Sequence, residues 1–232
     1  MSETQGKLYI VSTPIGNLGD MTYRAVETLQ NVPMIAAEDT RHSRKLLSHY
    51  GISTPLISYF EHNRFTRIPK IIDHLNSGKD LAVITDAGTP GISDPAYKLV
   101  REALLHDITV ESIPGASASL AALVSSGLPT DRFLFEGFLP PKKGRKARIA
   151  RVENEQSTLI YYESPKRLQR TLKQLLEGLG NRPAVVAREL TKLHEEIKRG
   201  TLSELLTYFT THPPKGECVI LVGKDDPNVY FK

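Results

Sequence analysis

Residues 81–95 read LAVITDAGTPGISDP, and this stretch decides the fold. Its first four residues, Leu81-Ala82-Val83-Ile84, are continuously apolar and bounded by turn formers, as a strand buried on both faces would be. The segment AYKLVREALL at 96–105 follows with helical character. Between them lie two glycines, two prolines and two aspartates, more turn chemistry than one corner requires. The sequence places this loop at the carboxyl end of a strand, where α/β sheets bind ligands. Asp94-Pro95 reads as a helix start, with Asp as N-cap and Pro in the first turn.

The same unit recurs on either side. Apolar runs at Leu8–Val11, Met34–Ala37, Leu56–Phe60 and Ile108–Ile113 read as strands, and each ends in a polar loop: STPIGN, EDTR, EHNR and PGAS. Helical segments are expected at 23–29, 43–50, 68–75 and 120–124, the third from apolar residues at 68, 71, 72 and 75. Alternation of this kind predicts a parallel sheet with helices on both faces and its ligand loops along one edge. A boundary is expected near Gly127–Thr130, giving an N-terminal α/β domain over 1–128 and a C-terminal one over 129–232. Beyond the boundary, strands at 133–138, 158–162, 184–188 and 217–222 lack helices between them in places, which predicts a mixed sheet. The tail from Asp225 to Lys232 reads as loose.

Composition narrows the function. Of 232 residues 40% are apolar and 24% charged, the balance of a globular protein. No run reaches a membrane span and the start, MSETQGK, lacks a signal peptide's apolar region, so a cytoplasmic protein is expected. The single cysteine, Cys218, lies in the apolar run CVILV, which reads as a buried strand. The seven histidines have no metal-ligand spacing, and no metal is expected. Neither a G-x-G-x-x-G fingerprint nor a P-loop is present. The net charge of +4 is modest, but Lys142, Lys143, Arg145, Lys146, Arg148 and Arg151 crowd into ten residues. That run suits a polyanion.

Taken in order, TPIGN (13–17), AAEDTR (36–41), DAGTPGISDP (86–95), PGAS (114–117), FEGFLP (135–140), YYESP (161–165) and ARELTK (187–192) resemble the ribosomal small-subunit RNA 2′-O-methyltransferase I family, within the tetrapyrrole (class III) methylase superfamily. The resemblance implies two α/β domains and a homodimer. It implies S-adenosylmethionine as methyl donor and a cytidine 2′-hydroxyl in the decoding region of 16S rRNA, in the small ribosomal subunit, as acceptor. A tetrapyrrole or other small-molecule acceptor is the alternative. Against it, Thr89 stands where the tetrapyrrole branch carries the Asp of Gly-Gly-Asp-Pro. By the same resemblance, Pro14, Asp86, Ala87, Gly88, Thr89, Ile92, Ser117 and Ala118 should bind the cofactor, with Phe138, Leu139, Ala187 and Gly216 from the second domain. Carboxylates and a cation near the strand ends are candidates for catalysis and positioning: Asp39, Arg41, Asp86 and Glu163. RNA contacts are expected from His62, Asn63 and Arg64, and from Lys142, Lys143, Arg145, Lys146 and Arg148 on a mobile basic loop.

Overall fold

The computed structural model describes residues 5–231. The chain divides into two compact units, Met1–Ser117 and Ala118–Lys232.

The first unit alternates strand and helix. Its elements are β1 (Leu8–Val11), α1 (Tyr23–Asn31), β2 (Ile35–Ala37), α2 (Thr40–His49), β3 (Leu56–Ser58), α3 (Arg64–Asn76), β4 (Leu81–Ile84), α4 (Ala96–Leu105) and β5 (Val110–Ile113). The five strands form one sheet in the order β3-β2-β4-β1-β5, and every pairing is parallel. β4 is the middle strand: Val83 pairs with Ile10 of β1 on one side and Ala36 of β2 on the other. Its residues serve both faces in turn. Leu81 and Val83 join the core beneath α3 and α4, while Ala82 and Ile84 join the core beneath α1 and α2. A strand with period-two side chains and apolar neighbours on both faces must be apolar throughout.

β1 and β4 are neighbours, yet β1 leads to α1 on one face and β4 to α4 on the other. The chain therefore leaves these two adjacent strands in opposite directions. In α/β sheets such a switch point, at the carboxyl edge, is where ligands bind.

The second unit contains α5 (Ala118–Ser126), β6 (Phe133–Phe138), α6 (Arg145–Ala150), β7 (Thr158–Glu163), α7 (Leu168–Leu179), β8 (Pro183–Arg188), β9 (Glu196–Thr201), α8 (Leu202–Thr211) and β10 (Cys218–Val222). The strand order is β6-β7-β10-β8-β9. β6 runs parallel to β7 and the other pairs are antiparallel, so the sheet is mixed, as expected. α6, α7 and α8 cover one face with Ile149, Leu172, Leu175, Leu205 and Phe209.

α5 falls in this unit, although the sequence places it in the first domain. It lies against β7, β8, β9 and β10. Tyr162 accepts the Ser119 N–H at 3.2 Å, and Arg199 donates through Nε to the Ser126 carbonyl at 2.8 Å. The tail is also tied down rather than loose. The Tyr230 hydroxyl lies 2.7 Å from the Asp225 carboxylate and 3.1 Å from the Asn181 carbonyl. Lys232 lies outside the described residues.

Candidate functional site

Three strand-end loops of the first unit are fastened together. Thr13 and Gly88 exchange backbone hydrogen bonds, at 2.9 and 3.1 Å, and the Thr13 hydroxyl donates to the Thr85 carbonyl at 3.1 Å. The Thr89 hydroxyl donates to the Ala116 carbonyl at 3.2 Å. With its one proton so placed, it accepts from the Ser12 hydroxyl at 2.9 Å. A short relay thus ties the loops after β1, β4 and β5. Gly88 turns the chain at φ +85°. A Cβ there would stand 3.4 Å from Ile15 Cγ2 and 3.6 Å from the Ala116 oxygen, which is ordinary contact. The left-handed backbone, not lack of space, requires glycine.

The end of the same loop differs from expectation. α4 begins at Ala96 with Pro95 in the cap position, and Asp94 stands one residue further out. Its carboxylate spans the corner, accepting N–H from Gly91 at 2.8 Å and from Ala96 at 2.7 Å. Bridging backward to Gly91 moves Asp94 out of the cap position while its side chain still serves the helix start. Burial pushes the Asp94 carboxyl above the usual carboxylate range.

Carboxylates gather at the ends of β2 and β4. Thr85 donates to Glu38 Oε2 at 2.8 Å, and the Asp39 N–H donates to Asp86 Oδ1 at 3.2 Å. Burial pushes the Asp86 carboxyl up. The Asp39 N–H bond opposes that shift and the Glu38 charge adds to it. Asp39 itself is occupied differently, since its Oδ1 accepts the Arg41 N–H at 2.8 Å and caps α2. A hydrogen bond from the Arg41 side chain holds the Asp39 carboxyl below its usual range. The Arg41 side chain is 87% exposed. Glu38, Tyr59, Thr85 and Asp94 line a cavity of about 10 Å³, the size of one water. Of the expected catalytic group, then, Asp39, Arg41 and Asp86 share this edge.

Glu163, the fourth of the expected group, belongs to the second unit. It is enclosed there, and Oε2 accepts from the Thr171 hydroxyl at 2.6 Å. Oε1 accepts the Ser164 N–H at 2.8 Å and pairs with Arg167 Nε at 2.7 Å. Arg145, expected on a mobile RNA loop, faces inward to the same group and is only 2% exposed. Its guanidinium reaches Glu163 at 3.7 Å, Gln174 at 2.7 Å, the Pro140 carbonyl at 3.0 Å and Thr171 at 2.5 Å. Residues 145–150 are helical, not a mobile loop, and Arg145 lies one turn before Ile149 on the face that the helix buries. Arg148 grips Glu136 at 2.5 Å. Lys142, Lys143 and Lys146 remain exposed.

Elsewhere the expected residues divide. Asn63 shapes the turn after β3: Oδ1 accepts the Phe60 N–H at 2.9 Å and Nδ2 donates to the Ser58 carbonyl at 3.1 Å. Arg64 pairs with Glu61 and lies 4.5 Å over the Phe65 ring, while His62 is exposed. Pro14 is buried and Ala87, Ile92 and Phe138 are exposed. The Leu139 side chain is core, 1% exposed, and Ala187 is fully buried in β8. Gly216 takes φ +76°, and a Cβ there would collide with the Glu189 carboxylate at 1.9 Å. Burial pushes the Cys218 thiol up to about 12, which makes it inert. Sequence gives no reason to single out Ser12 or Tyr59. Each matters through a partner distant in the chain, Ser12 through Thr89 and Tyr59 through the Pro95 carbonyl, to which its hydroxyl donates at 3.0 Å.

A profile of the family described as Tetrapyrrole (Corrin/Porphyrin) Methylases matches residues 7–206. The chain is 54% identical over 221 residues to a protein of Synechocystis sp. named Ribosomal RNA small subunit methyltransferase I, covering 94% of this chain and 79% of that one. A protein of the same name from Streptococcus pyogenes serotype M1 is 50% identical over 222 residues, covering 95% and 77%. Among solved structures, uroporphyrin-III-C-methyltransferase from Thermus thermophilus superposes with a TM-score of 0.67 at 18% identity, covering 95% of each chain. That last likeness concerns the fold alone.

Proposed function

The chain belongs to the ribosomal RNA small subunit methyltransferase I family of the tetrapyrrole (corrin/porphyrin) methylases, and from that premise we propose that it methylates the 2′-hydroxyl of a cytidine ribose in small-subunit (16S) rRNA, using S-adenosylmethionine. The observation that carries this reading is the 54% identity that runs over 94% of the chain. In this reading the enzyme works as a cytoplasmic homodimer on the small ribosomal subunit.

The first unit's loops suit such a cofactor. Pro14, Ala87, Gly88, Thr89 and Ser117 present small side chains and backbone with no formal charge among them, which fits recognition through main-chain groups. The Thr89 hydroxyl is engaged by Ser12 and Ala116, so it fixes the loop. When bound, S-adenosylmethionine supplies a methyl group already activated on a sulfonium. The protein must then align the ribose hydroxyl and take its proton. Asp86 is our candidate for the base. Its carboxyl sits at the end of the middle strand, and burial raises its proton affinity above that of an ordinary Asp. Arg41, mostly exposed beside Asp39, is placed to meet a phosphate. Lys142, Lys143 and Lys146 extend the phosphate contacts, joined by His62 and Arg64. Glu163 and Arg145 are assigned to structure.

The test is transfer of labelled methyl from S-adenosylmethionine to assembled small subunits, to stripped rRNA and to a corrin precursor. Label in a 2′-O-methylated nucleotide is the expected result. Label in the corrin precursor alone would overturn the assignment in favour of a small-molecule acceptor.

A further inference from the structure

α3 and α4 pack side by side on one face of the first sheet, and in a parallel sheet both start at its carboxyl edge. Each carries an aromatic residue at its second position: Phe65 in α3 and Tyr97 in α4. Neither ring is core. Phe65 is 76% exposed and Tyr97 54%. The two rings stand at the starts of neighbouring helices, at the same edge of the sheet. Each also has a cation against it. The Arg64 guanidinium lies 4.5 Å over the Phe65 ring, and Lys98 Nζ lies 5.4 Å from the Tyr97 centroid. Lys70 and Arg101 are exposed on the same two helices. Each cation lies over one face of its ring, and Arg64 also pairs with Glu61, so a base would stack on the ring surface that remains exposed.

We propose that Phe65 and Tyr97 form a stacking ledge for unpaired bases of the RNA near the methylated nucleotide. This rests on the rRNA methyltransferase assignment. The ledge takes the bases by their faces, so it holds the strand without reading its sequence. The exposed lysines of α6 and its approach contribute charge alone.

The test uses the full chain. Phe65→Ala and Tyr97→Ala should each weaken binding of an unstructured RNA oligonucleotide by roughly 5- to 100-fold, with the salt slope unchanged because no phosphate contact is lost. Both rings are solvent-facing, so the thermal midpoint should stay put. The chain has no tryptophan. Phe65→Trp therefore installs a lone indole whose emission should be quenched by RNA and not by polyphosphate. Unchanged affinity in both alanine variants, or equal affinity for an oligonucleotide lacking bases, overturns the ledge. So does a loss seen with assembled subunits but not with naked RNA, which would mark a protein contact. The two assignments fail separately. If the unsubstituted protein leaves rRNA unmethylated, the function is wrong whatever the ledge binds. If it methylates rRNA and the rings do not matter, only the ledge is wrong.

Discussion

The loop at 85–96 and the basic segment at 136–151 each carry two glycines and two prolines, and the fold uses their charged residues in different ways. In the first, the frame is mainly backbone: Thr13 pairs with Gly88, and Asp94 accepts two N–H groups. Asp86 is held by one N–H and keeps a second oxygen for other chemistry. In the second, the charges themselves are the frame. Arg145 and Glu163 are almost fully enclosed and Arg148 is spent on Glu136. The difference teaches that charge density along a chain does not say whether the charges face a ligand. Asp94 is spent on backbone N–H groups and Arg145 on side chains, while Asp86, with a single N–H partner, keeps one oxygen available.

Four substitutions test that contrast, beginning with the largest effect. Asp86→Asn should lower the methylation rate by about 10²- to 10⁴-fold if Asp86 is the base. In the unsubstituted enzyme, the acid limb of the kcat/KM profile should follow a carboxyl lifted above the ordinary value of about 3.9. The stability sign is opposite. Asp86 binds its proton more tightly folded than unfolded, so its contribution is present below the unfolded pKa and lost as pH rises through the folded one. At neutral pH the ionised group is a burden, and Asp86→Asn should hold or raise the thermal midpoint. A rate within threefold of the original would remove Asp86 from the chemistry.

Next comes Arg145→Met, which removes one of the two guanidinium partners of the enclosed Glu163 and leaves Arg167 in place. A loss of about 2–3 kcal/mol is expected in urea unfolding, from the partners of Arg145 left unpaired. Adding Glu163→Leu should recover part of it, and a loss below about 1 kcal/mol would contradict the framework role. Smaller still is Gly88→Ala. With ordinary contacts around the added methyl, only the left-handed backbone is penalised, by about 1–2 kcal/mol. A penalty well beyond that range would mean that the neighbouring loops cannot accommodate a side chain there. The smallest effect on folding belongs to Lys142, Lys143 and Lys146 changed together to Ala. Stability should hold. The slope of log affinity for single-stranded RNA against log salt should shrink by about 2, near 0.7 for each contact. An unchanged slope would take these lysines out of the interface.

Much of the frame was legible because burial on both faces leaves a mark in composition. Runs such as LAVI and CVILV admit few readings beyond interior strands, and the polar loops at their ends mark one sheet edge. What escaped depended on partners far away in sequence. Arg145 looked like one more solvated cation. Its position four before Ile149, one helical turn away on the buried face, is the available signal. Glu163 looked like a base because it ends a strand, and nothing local announces that Thr171, Arg145 and Arg167 surround it. Asp39 shares the strand-end edge with Asp86, and its carboxylate also caps the helix that begins at Thr40. The domain boundary was set at a Gly-Leu-Pro turn, but α5 before that turn packs on the second sheet.

That placement of α5 bears on how such chains are recombined. Residues 118–126 are encoded upstream of the turn but are bound to the strands downstream of it. A gene exchange that joins the first half of one relative to the second half of another keeps this helix with its native sheet only if the crossover precedes Ala118. A junction placed after Gly127 delivers a foreign helix onto strands selected to pack against a different one. Viable chimeras in the family should therefore cluster their breakpoints between Ile113 and Ala118, in the PGAS loop rather than in the proline turn that looks like the seam.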